Sequence, residues 1–400
     1  MISQSQYNLF EALKSSLFDA KPYYPSDINW DDVLSEAKAQ TVMGLISPII
    51  PVYDVISDQD KAMFMRIMYE QDKLLKCFEC ADIPCVILKG SAASIYYPKP
   101  YLRTMGDIDI LVHQSRFIQS LELLKSNGYL YVPEGAQDEN THDNIRELVF
   151  IKNGITIEIH RSFSSPGVEV DDILESAIEK RMYCKLNGYK FPVLPTPENG
   201  IVLIGHINQH LKNNVLGLRQ IIDWEMYVHS ISSTKSVEMQ LIPLLMKTGL
   251  LTLAAYVTRM CNKYLGLPEN MDFGVDVDDK LVDVLIEVIL YDGNFGRKVN
   301  SSKTIDEKKV INASYGIKRY GFIVYFTRVG LGTSDFCKKH PSLKFFAFVY
   351  GLFSQLCKVF KAWLYNINIG RNFAEGKKLY KIHSNRCELY EKLGVRTGNE

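Results

Sequence analysis

Long apolar runs are missing from this sequence of 400 residues. No run reaches the ~18 apolar residues that a transmembrane helix needs. The N-terminal residues MISQSQYNLF also lack the basic start and the long apolar core of a secretory signal peptide. These absences predict a cytoplasmic protein without a membrane span.

Net charge is missing as well, because 46 Lys and Arg residues balance 46 Asp and Glu residues. A chain without a strong overall field is not drawn to nucleic acid or to a membrane by long-range attraction. Net charge therefore does not indicate a nucleic-acid partner. A local basic stretch at 297–319 keeps such a contact open, with a solvated surface as the other interpretation.

Paired cysteines are scarce, since only Cys77 and Cys80 among the eight cysteines form a C-x-x-C sequence. A structural zinc site needs four ligands, and no second pair completes one. The spacing therefore favours reduced thiols in a cytosolic protein.

Hydrophobic periodicity divides the chain into three parts. Residues 1–81 follow a helical period, residues 82–195 alternate strand and helix signals, and residues 196–400 return to a helical pattern. Two or three domains fit this length. We expect an α+β fold in which a mixed sheet with its own helices is flanked by N-terminal and C-terminal helical regions. One of the N-terminal helices is predicted from Trp30 to about Ser47.

Two Asn-Gly pairs predict β-hairpins in the central part. The pair Asn153-Gly154 separates the predicted strands Glu147–Lys152 and Ile155–His160, and Asn187-Gly188 lies within 183–194. Asn-Gly is the strongest short hairpin signal, because both residues tolerate the positive φ of the tight turn.

An acidic strand is the main chemical feature of the sequence. The stretch Asp107–Val112 alternates acidic and aliphatic residues, which is the period of a half-buried strand. Asp107 and Asp109 therefore share one face. Two adjacent carboxylates repel each other unless a cation lies between them, so the pattern predicts a divalent metal site, most naturally Mg²⁺ held together with substrate phosphates. A solvated turn before the strand is the alternative.

A second alternating strand adds a third acid. In Ile155–His160, Glu158 and His160 share a face, and the isoleucines pack on the other. If this strand lies beside Asp107–Val112, Glu158 faces the two aspartates and can hold a metal or take a proton from an acceptor hydroxyl. An edge-strand acid and a structural histidine are the alternatives.

A Gly-Ser turn precedes the acidic strand. It follows a predicted buried strand and reads Lys89-Gly90-Ser91. Gly90 lets the backbone approach a triphosphate closely, because glycine has no Cβ. Lys89 either contacts phosphate or ends the strand in water, and Ser91 either binds nucleotide or caps the next helix. Arg103 either pairs with an acid or contacts phosphate.

These stretches together resemble a known family. They are Leu88-Lys89-Gly90-Ser91-Ala92, Tyr96-Tyr97-Pro98, Arg103–Val112 and Glu158-Ile159-His160. They look like an uncharacterised bacterial nucleotidyltransferase family of the DNA polymerase beta superfamily, whose pattern is roughly L-K-G-x-A, Y-Y-P, R-x-M-x-D-I-D-L-L-V and an E/D-I-H strand. The resemblance covers about 85–225.

The resemblance implies a nucleotidyltransferase-type sheet in the catalytic part, 82–195. It also implies transfer of an NMP group from an NTP to a hydroxyl of an acceptor, with release of pyrophosphate and with Mg²⁺ or Mn²⁺, two ions being expected. The implied site combines metal-binding and catalytic Asp107, Asp109 and Glu158 with nucleotide-binding Lys89, Gly90, Ser91 and Arg103. A small molecule, a sugar, a protein and RNA all remain open as acceptors.

Two other functions suit the same fold. One is a catalytically silent or toxin-like interaction protein, and the other is a phosphotransferase (kinase) that uses the same metal site. The intact carboxylates favour an enzyme over the silent protein. Retention of the α or the γ phosphate of an NTP would separate transferase from kinase.

The helical region after Thr196 is expected to supply the acceptor side. His206, Gln209, His210 and Asn213 fall on one face of a predicted helix. We expect His206 and His210, together with His160, to face the acceptor. A structural network with Arg219 and Asp223 is the alternative, and a zinc site is disfavoured because the Glu of the protease signature is absent.

An aromatic-rich amphipathic helix is predicted at 343–365. Its composition favours a core or interface position over a membrane anchor.

Overall fold

A computed structural model gives the fold, and it describes residues 2–25, 28–50, 54–133, 146–163, 169–213, 215–232, 235–268, 271–296, 321–340, 342–365, 386 and 388–395. The basic stretch 297–319, considered above as a nucleic-acid contact, lies outside the described residues.

The helices are α1 Gln4–Phe18, α2 Trp30–Gln40, α3 Met43–Ile46, α4 Asp54–Cys80, α5 Gly90–Ser94, α6 Phe117–Ser126, α7 Glu169–Ile178, α8 Thr196–Lys212, α9 Leu218–Ile231, α10 Lys235–Lys247, α11 Leu251–Met260, α12 Asp279–Asp292, α13 Phe322–Thr333, α14 Asp335–Lys339 and α15 Lys344–Tyr365. In the part of the chain that the structure describes, no helix combines the length and apolarity needed to cross a bilayer.

The strands are β1 Cys85–Leu88, β2 Asp107–Val112, β3 Leu130–Val132, β4 Glu147–Lys152, β5 Ile155–His160, β6 Met182–Leu186 and β7 Tyr189–Val193. They form one seven-stranded sheet in the order β3-β4-β5-β2-β1-β7-β6. β1 is antiparallel to β2 and parallel to β7, and β2 is parallel to β5. The sheet is mixed and the fold is α+β, which confirms the predicted fold class.

Local signals explain where the N-terminal helices begin and end. α1 starts at a capping box, in which the Ser3 hydroxyl accepts from the Gln6 backbone and the Gln6 side chain accepts from the Ser3 backbone. The helix predicted from Trp30 to about Ser47 is interrupted, because Thr41 adopts a left-handed conformation with φ 58°. The residues beyond it form the separate short helix α3.

Both predicted Asn-Gly hairpins are present. Asn153 and Gly154 have φ values of 51° and 70° between β4 and β5, and Asn187 and Gly188 have φ values of 48° and 89° between β6 and β7. These paired positive φ values match the twist of a tight hairpin, which is why Asn-Gly is favoured there.

The sheet separates two hydrophobic clusters. Alternate residues of a strand point to opposite faces. In β1, Val86 and Leu88 join the cluster that contains residues of α8 and α9, whereas Cys85 and Ile87 join the cluster that contains residues of α4 and α6. We call these the α8–α9 face and the α4–α6 face of the sheet.

The two faces of β2 place the acids. Ile108 and Ile110 belong to the α4–α6 face, and Leu111 belongs to the α8–α9 face. Asp107 and Asp109 have the parity of Leu111, so their side chains lie on the α8–α9 face. The carboxylates therefore point toward the helices that follow Thr196.

Candidate active site

The parallel pairing of β2 with β5 brings the third acid to the first two. Asp107 pairs with Thr156 and Asp109 pairs with Glu158. Paired residues on neighbouring strands point to the same face, so Glu158 lies beside Asp109. Asp109 is 4% exposed, and Asp107 and Glu158 are partly buried.

His160 connects the acids of this face. Its Nε2 is 2.9 Å from Oδ1 of Asp109 and 3.5 Å from Oε2 of Glu158. Its Nδ1 is 3.0 Å from Oε2 of Glu147, the first residue of β4. The sequence predicted that His160 faces the acceptor together with His206 and His210, whereas in the structure its ion-pair contacts are with three carboxylates.

Opposite charges hold Asp109 ionised and His160 protonated. Burial alone would raise the pKa of Asp109, but Lys89 and His160 outweigh burial and hold that pKa well below its usual value. Burial likewise opposes a charge on His160, but its contacts with the carboxylates of Asp109, Glu147 and Glu158 raise its pKa to about 10. The three carboxylates therefore favour the imidazolium form of this histidine.

The pKa values of the other two carboxylates, Asp107 and Glu158, are shifted in the opposite direction to that of Asp109. Burial and the charge of Asp109 raise the pKa of Asp107. His160 favours the ionised form of Glu158, yet burial and Asp109 together raise the pKa of Glu158. Like charges collected in a buried place make ionisation costly, and a cation between them would lower that cost.

Lys89 reaches this cluster from a strained turn. It follows β1 with φ 46° and ψ −138°, a region rarely occupied by residues with a Cβ, and Gly90 follows with φ 33°. The turn carries Nζ of Lys89 to 2.7 Å from Oδ1 of Asp109. Burial opposes its charge, but Asp109 raises the pKa of Lys89. Of the two alternatives, Lys89 therefore points into the site and does not end the strand in water.

Ser91 points away from this cluster. Its Oγ donates to Oε1 of Gln71 in α4 at 2.6 Å, and its side chain is 2% exposed. It does not cap α5, which lacks a side-chain cap. A nucleotide contact from Ser91 would therefore have to come from its backbone.

Arg103 forms a buried pair with an acid of the helical region. Its Nε and Nη2 donate to the two carboxylate oxygens of Asp223 at 2.6 and 2.7 Å, and Tyr97 donates to the same carboxylate at 2.7 Å. Such a bidentate pair fixes orientation as well as distance. The pairing role considered for Arg103 is the one present, and it ties the loop before β2 to α9.

A cavity of about 440 Å³ separates the carboxylates from the helical region. That volume is in the range of small-molecule sites. Its sheet side is lined by Lys89, Gly90, Asp107, Asp109 and Glu158, and its helical side by His206, Gln209, His210, Asn213 and Arg219. The polar stripe predicted on the helix after Thr196 therefore faces a cavity.

His206 and His210 bond to each other on that helical side. Their Nε2 atoms are 2.7 Å apart, and Nδ1 of His210 is 3.4 Å from the carbonyl oxygen of Val215. A carbonyl only accepts, so Nδ1 of His210 carries the hydrogen and its Nε2 accepts from Nε2–H of His206. Burial lowers the pKa of His206 well below its usual value and that of His210 to about 4. The pair is neutral at pH 7.

Glu147, Arg219 and Phe295 are among the lining residues that were not predicted as site residues. Glu147 pairs with His160 across the β4–β5 hairpin. Counting outward from the two-residue Asn153-Gly154 turn gives this partner, so the register was available in the sequence. Arg219 and Phe295 approach the cavity from α9 and from beyond α12, with the guanidinium 5.4 Å from the ring centre. No local sequence pattern predicts the contact between Arg219 and Phe295.

Asp109, Glu158 and His160 each offer a ligand atom, and these three atoms lie within 4.8 Å of one another. Among the described residues this is the one group of histidine, cysteine and acidic side chains close enough to surround a metal ion. Asp107 borders the same cavity, outside that group. The histidine pair of α8 does not form such a group within the described part of the chain.

The mixed sheet and its clustered carboxylates form the pattern that the sequence resemblance implied for nucleotidyltransferases. The chain belongs to the family of uncharacterised nucleotidyltransferases, whose sequence model matches residues 59–266, slightly more than half of the chain. The protein is therefore a nucleotidyltransferase by family. No curated protein matches it.

Two solved structures are distantly similar. An antigenic nucleotidyltransferase-like protein from Paracoccidioides brasiliensis shares 17% identity over 50% of this chain and 92% of its own, with a TM-score of 0.28. A tRNA nucleotidyltransferase complexed with a primer tRNA and an incoming ATP analogue shares 13% identity over 80% of this chain and 95% of its own, with a TM-score of 0.22. Likenesses this weak support no conclusion about substrate.

Proposed function

We propose that this protein transfers a nucleoside monophosphate from an NTP to a hydroxyl group of an acceptor and releases pyrophosphate. The observation that supports this best is the parallel pairing of β2 with β5, which sets Asp109 beside Glu158 with Asp107 on the same face. In the proposed reaction the acceptor oxygen attacks the α-phosphorus in line, and the pyrophosphate leaves from the opposite side.

Asp107, Asp109 and Glu158 are the proposed ligands of Mg²⁺ or Mn²⁺, with two ions expected. Hard oxygen ligands suit these ions. Burial and the charge of Asp109 raise the pKa values of Asp107 and Glu158, and a divalent ion would lower the cost of ionising both groups. A bound ion would stabilise the charge on the phosphate oxygens. Nε2 of His160 lies 2.9 Å from Oδ1 of Asp109, so we propose that His160 orients this carboxylate.

The nucleotide is proposed to enter beside the turn that follows β1. Gly90 lines the cavity there, and Lys89 supplies a positive charge next to Asp109. Arg103 is already paired with Asp223, so its contribution is to hold the loop before β2 in place. The backbone at Gly90 and Ser91 remains the proposed contact for the triphosphate.

The acceptor is proposed to bind on the helical side of the cavity. His206, Gln209, His210 and Asn213 present neutral hydrogen-bonding groups there, and the histidine pair carries no charge at pH 7. Neutral donors and acceptors suit a hydroxyl-bearing molecule. The chemical class of the acceptor stays open among small molecules, sugars, proteins and RNA.

Labelled nucleotides test the proposed reaction. The protein is incubated with Mg²⁺, with α-labelled or γ-labelled ATP in separate tubes, and with small-molecule, protein or RNA fractions of a cell extract; each of the other three NTPs is then tried. We expect the α label to become attached to one of these fractions and the γ label to be recovered as pyrophosphate.

Controls identify the alternatives. Transfer should stop when EDTA replaces Mg²⁺, and it should stop in Asp109→Asn. Attachment of the γ label to the acceptor would show a phosphotransferase. The absence of both transfer and Mg²⁺-dependent NTP binding would show the catalytically silent interaction protein.

A further inference from the structure

The helices α13 and α15 pack against each other closely enough to exclude side chains at two points. A Cβ at Gly330 would overlap the backbone of Ala347, and a Cβ at Gly351 would overlap the backbone of Phe326. These four residues are buried between the helices. The helices α13, α14 and α15 form a compact unit that we call the aromatic hairpin, residues 321–340 and 342–365.

The outer side of the aromatic hairpin exposes large apolar side chains. The exposed stripe of α15 consists of Phe345, Phe346, Val349, Tyr350, Phe353 and Leu356. Their spacing places them on one side of the helix, away from Ala347 and Gly351. Phe345 is 72% exposed and Phe353 is 67% exposed, and Ile323 of α13 is 66% exposed. A contiguous aromatic surface of this kind marks a binding face.

The aromatic hairpin is also positively charged. Residues 321–365 contain six lysines and arginines and one acidic residue, Asp335. The whole chain is neutral, so this excess of positive charge is a local property. Lys339 and Lys344, which stand on either side of the turn into α15, are exposed.

The positive charge of the aromatic hairpin distinguishes between two candidate partners for this face, a second copy of the chain and a lipid surface. A second copy of the chain, related by a two-fold axis, would set two equally positive hairpins against each other, which is unfavourable. An anionic lipid surface offers the complementary charge together with an apolar boundary for the aromatic rings. The exposed apolar side chains lie along one side of α15, which suits a helix lying in the interface.

We propose that the aromatic hairpin binds the surface of an anionic lipid bilayer, with the exposed stripe of α15 inserted at the boundary between head groups and acyl chains. The lysines at its edge stay at the level of the anionic head groups. This binding is independent of the transfer reaction, because none of the residues involved lines the active-site cavity.

Vesicle co-sedimentation of the full chain tests this proposal. We expect binding to vesicles of equal parts phosphatidylcholine and phosphatidylglycerol, weak binding to phosphatidylcholine alone, and weaker binding at high salt. The double variant Phe345→Ser with Phe353→Ser should lower the affinity at least about tenfold, and Lys339→Glu with Lys344→Glu should lower it by a similar factor.

The matched control replaces equally exposed apolar residues elsewhere. Leu130 and Met239 are 70% and 76% exposed and lie on β3 and α10. Leu130→Ser with Met239→Ser should leave vesicle binding unchanged. An equal loss of binding in this control would overturn the assignment of binding to the aromatic hairpin.

Other results would also overturn the proposal. Equal binding to neutral and anionic vesicles, or binding to neither, would exclude an anionic lipid partner. A dimer in sedimentation analysis that Phe345→Ser with Phe353→Ser converts to a monomer would identify a second copy as the occupant. A large fall in the melting temperature of that double variant, with the control unaffected, would show that the stripe is packed within the fold.

Discussion

Asp107 is the carboxylate whose role is most sharply testable, because it lies beside Asp109 on β2 but outside the group of three close ligand atoms. We expect Asp107→Asn to weaken Mg²⁺-dependent ATP binding on the order of 10- to 100-fold, since the change removes one charge at constant volume. Calorimetric titration of ATP with and without Mg²⁺ measures this. Asp172→Asn, at an exposed position of α7, is the control and should bind like the wild type.

The same titration can contradict the ligand assignment. If Asp107→Asn binds ATP as tightly as the wild type and Asp109→Asn does not, the metal is held by Asp109, Glu158 and a deprotonated His160. If neither variant changes ATP binding, the metal site itself is wrongly placed.

His210 should make stability depend on pH. Burial lowers its folded pKa to about 4, below the value of about 6.5 in an unfolded chain. The unfolded state therefore binds more protons between these pH values. The free energy of unfolding should fall as the pH drops from about 6.5 toward 4, by on the order of 3 kcal/mol from this residue.

Urea unfolding of the wild type and of His210→Gln at several pH values isolates this contribution. The fall below pH 6.5 should be smaller in His210→Gln, and the two curves should run parallel above pH 7. His229→Gln, at an exposed position of α9, should follow the wild type throughout. Identical pH dependence in all three proteins would contradict a buried neutral His210.

At the scale of elements, the pair Arg103–Asp223 joins the loop before β2 to α9. Both side chains are buried, with 4% and 3% of their surfaces exposed. Asp223→Ala should cost about 3–5 kcal/mol of the free energy of unfolding, because it leaves a buried guanidinium without its counter-charge. Chemical denaturation measures this loss.

An exposed pair with the same geometry supplies the control. Arg259 donates to both oxygens of Asp279 at 2.8 Å, but the two side chains are 46% and 49% exposed. Solvent screens this pair, so Asp279→Ala should cost only about 0–1 kcal/mol. Equal losses in the two variants would mean that burial does not set the importance of the Arg103–Asp223 contact.

At the scale of the whole molecule, one hydrophobic cluster combines residues from 1–81, 82–195 and 196–400. Phe10 of α1 is 1% exposed and lies 6.0 Å from the ring of Tyr264 in the helical region. The predicted domain boundaries at 81 and 195 therefore do not separate independent hydrophobic cores. They remain a prediction about which part of the chain carries the catalytic residues. We expect the N-terminal helices to be stabilised together with α9 and α11.

Phe10→Ala tests this coupling. Loss of a buried aromatic ring should cost about 3–5 kcal/mol, and hydrogen exchange should accelerate in α9 and α11 as well as in α1. Tyr7→Ala, at a position of α1 that is 48% exposed, should change stability by only about 0.5 kcal/mol. Faster exchange confined to α1 would support an independent N-terminal domain.

Properties with a short range in sequence were determined by the sequence itself. The alternation in Asp107–Val112 and Ile155–His160 settles which side chains share a face, because the period of a strand is two. The Asn-Gly turn sets the register of β4 and β5, and with it the pairing of Glu147 with His160. The α+β class and the polar stripe of α8 follow from the same local periodicities.

Long-range contacts were decided only by the tertiary structure. β2 pairs with β5 although β3 and β4 lie between them in the sequence, and Arg103 meets Asp223 across 120 residues of chain. Neither strand pairing nor an ion pair at that separation leaves a local periodic signal. The partners of His160, the hydrogen bond from Ser91 to Gln71 of α4 and the exposure of the α15 stripe likewise depend on what packs beside each residue. These long-range contacts contribute to the free energy of folding, but no local sequence pattern predicts them.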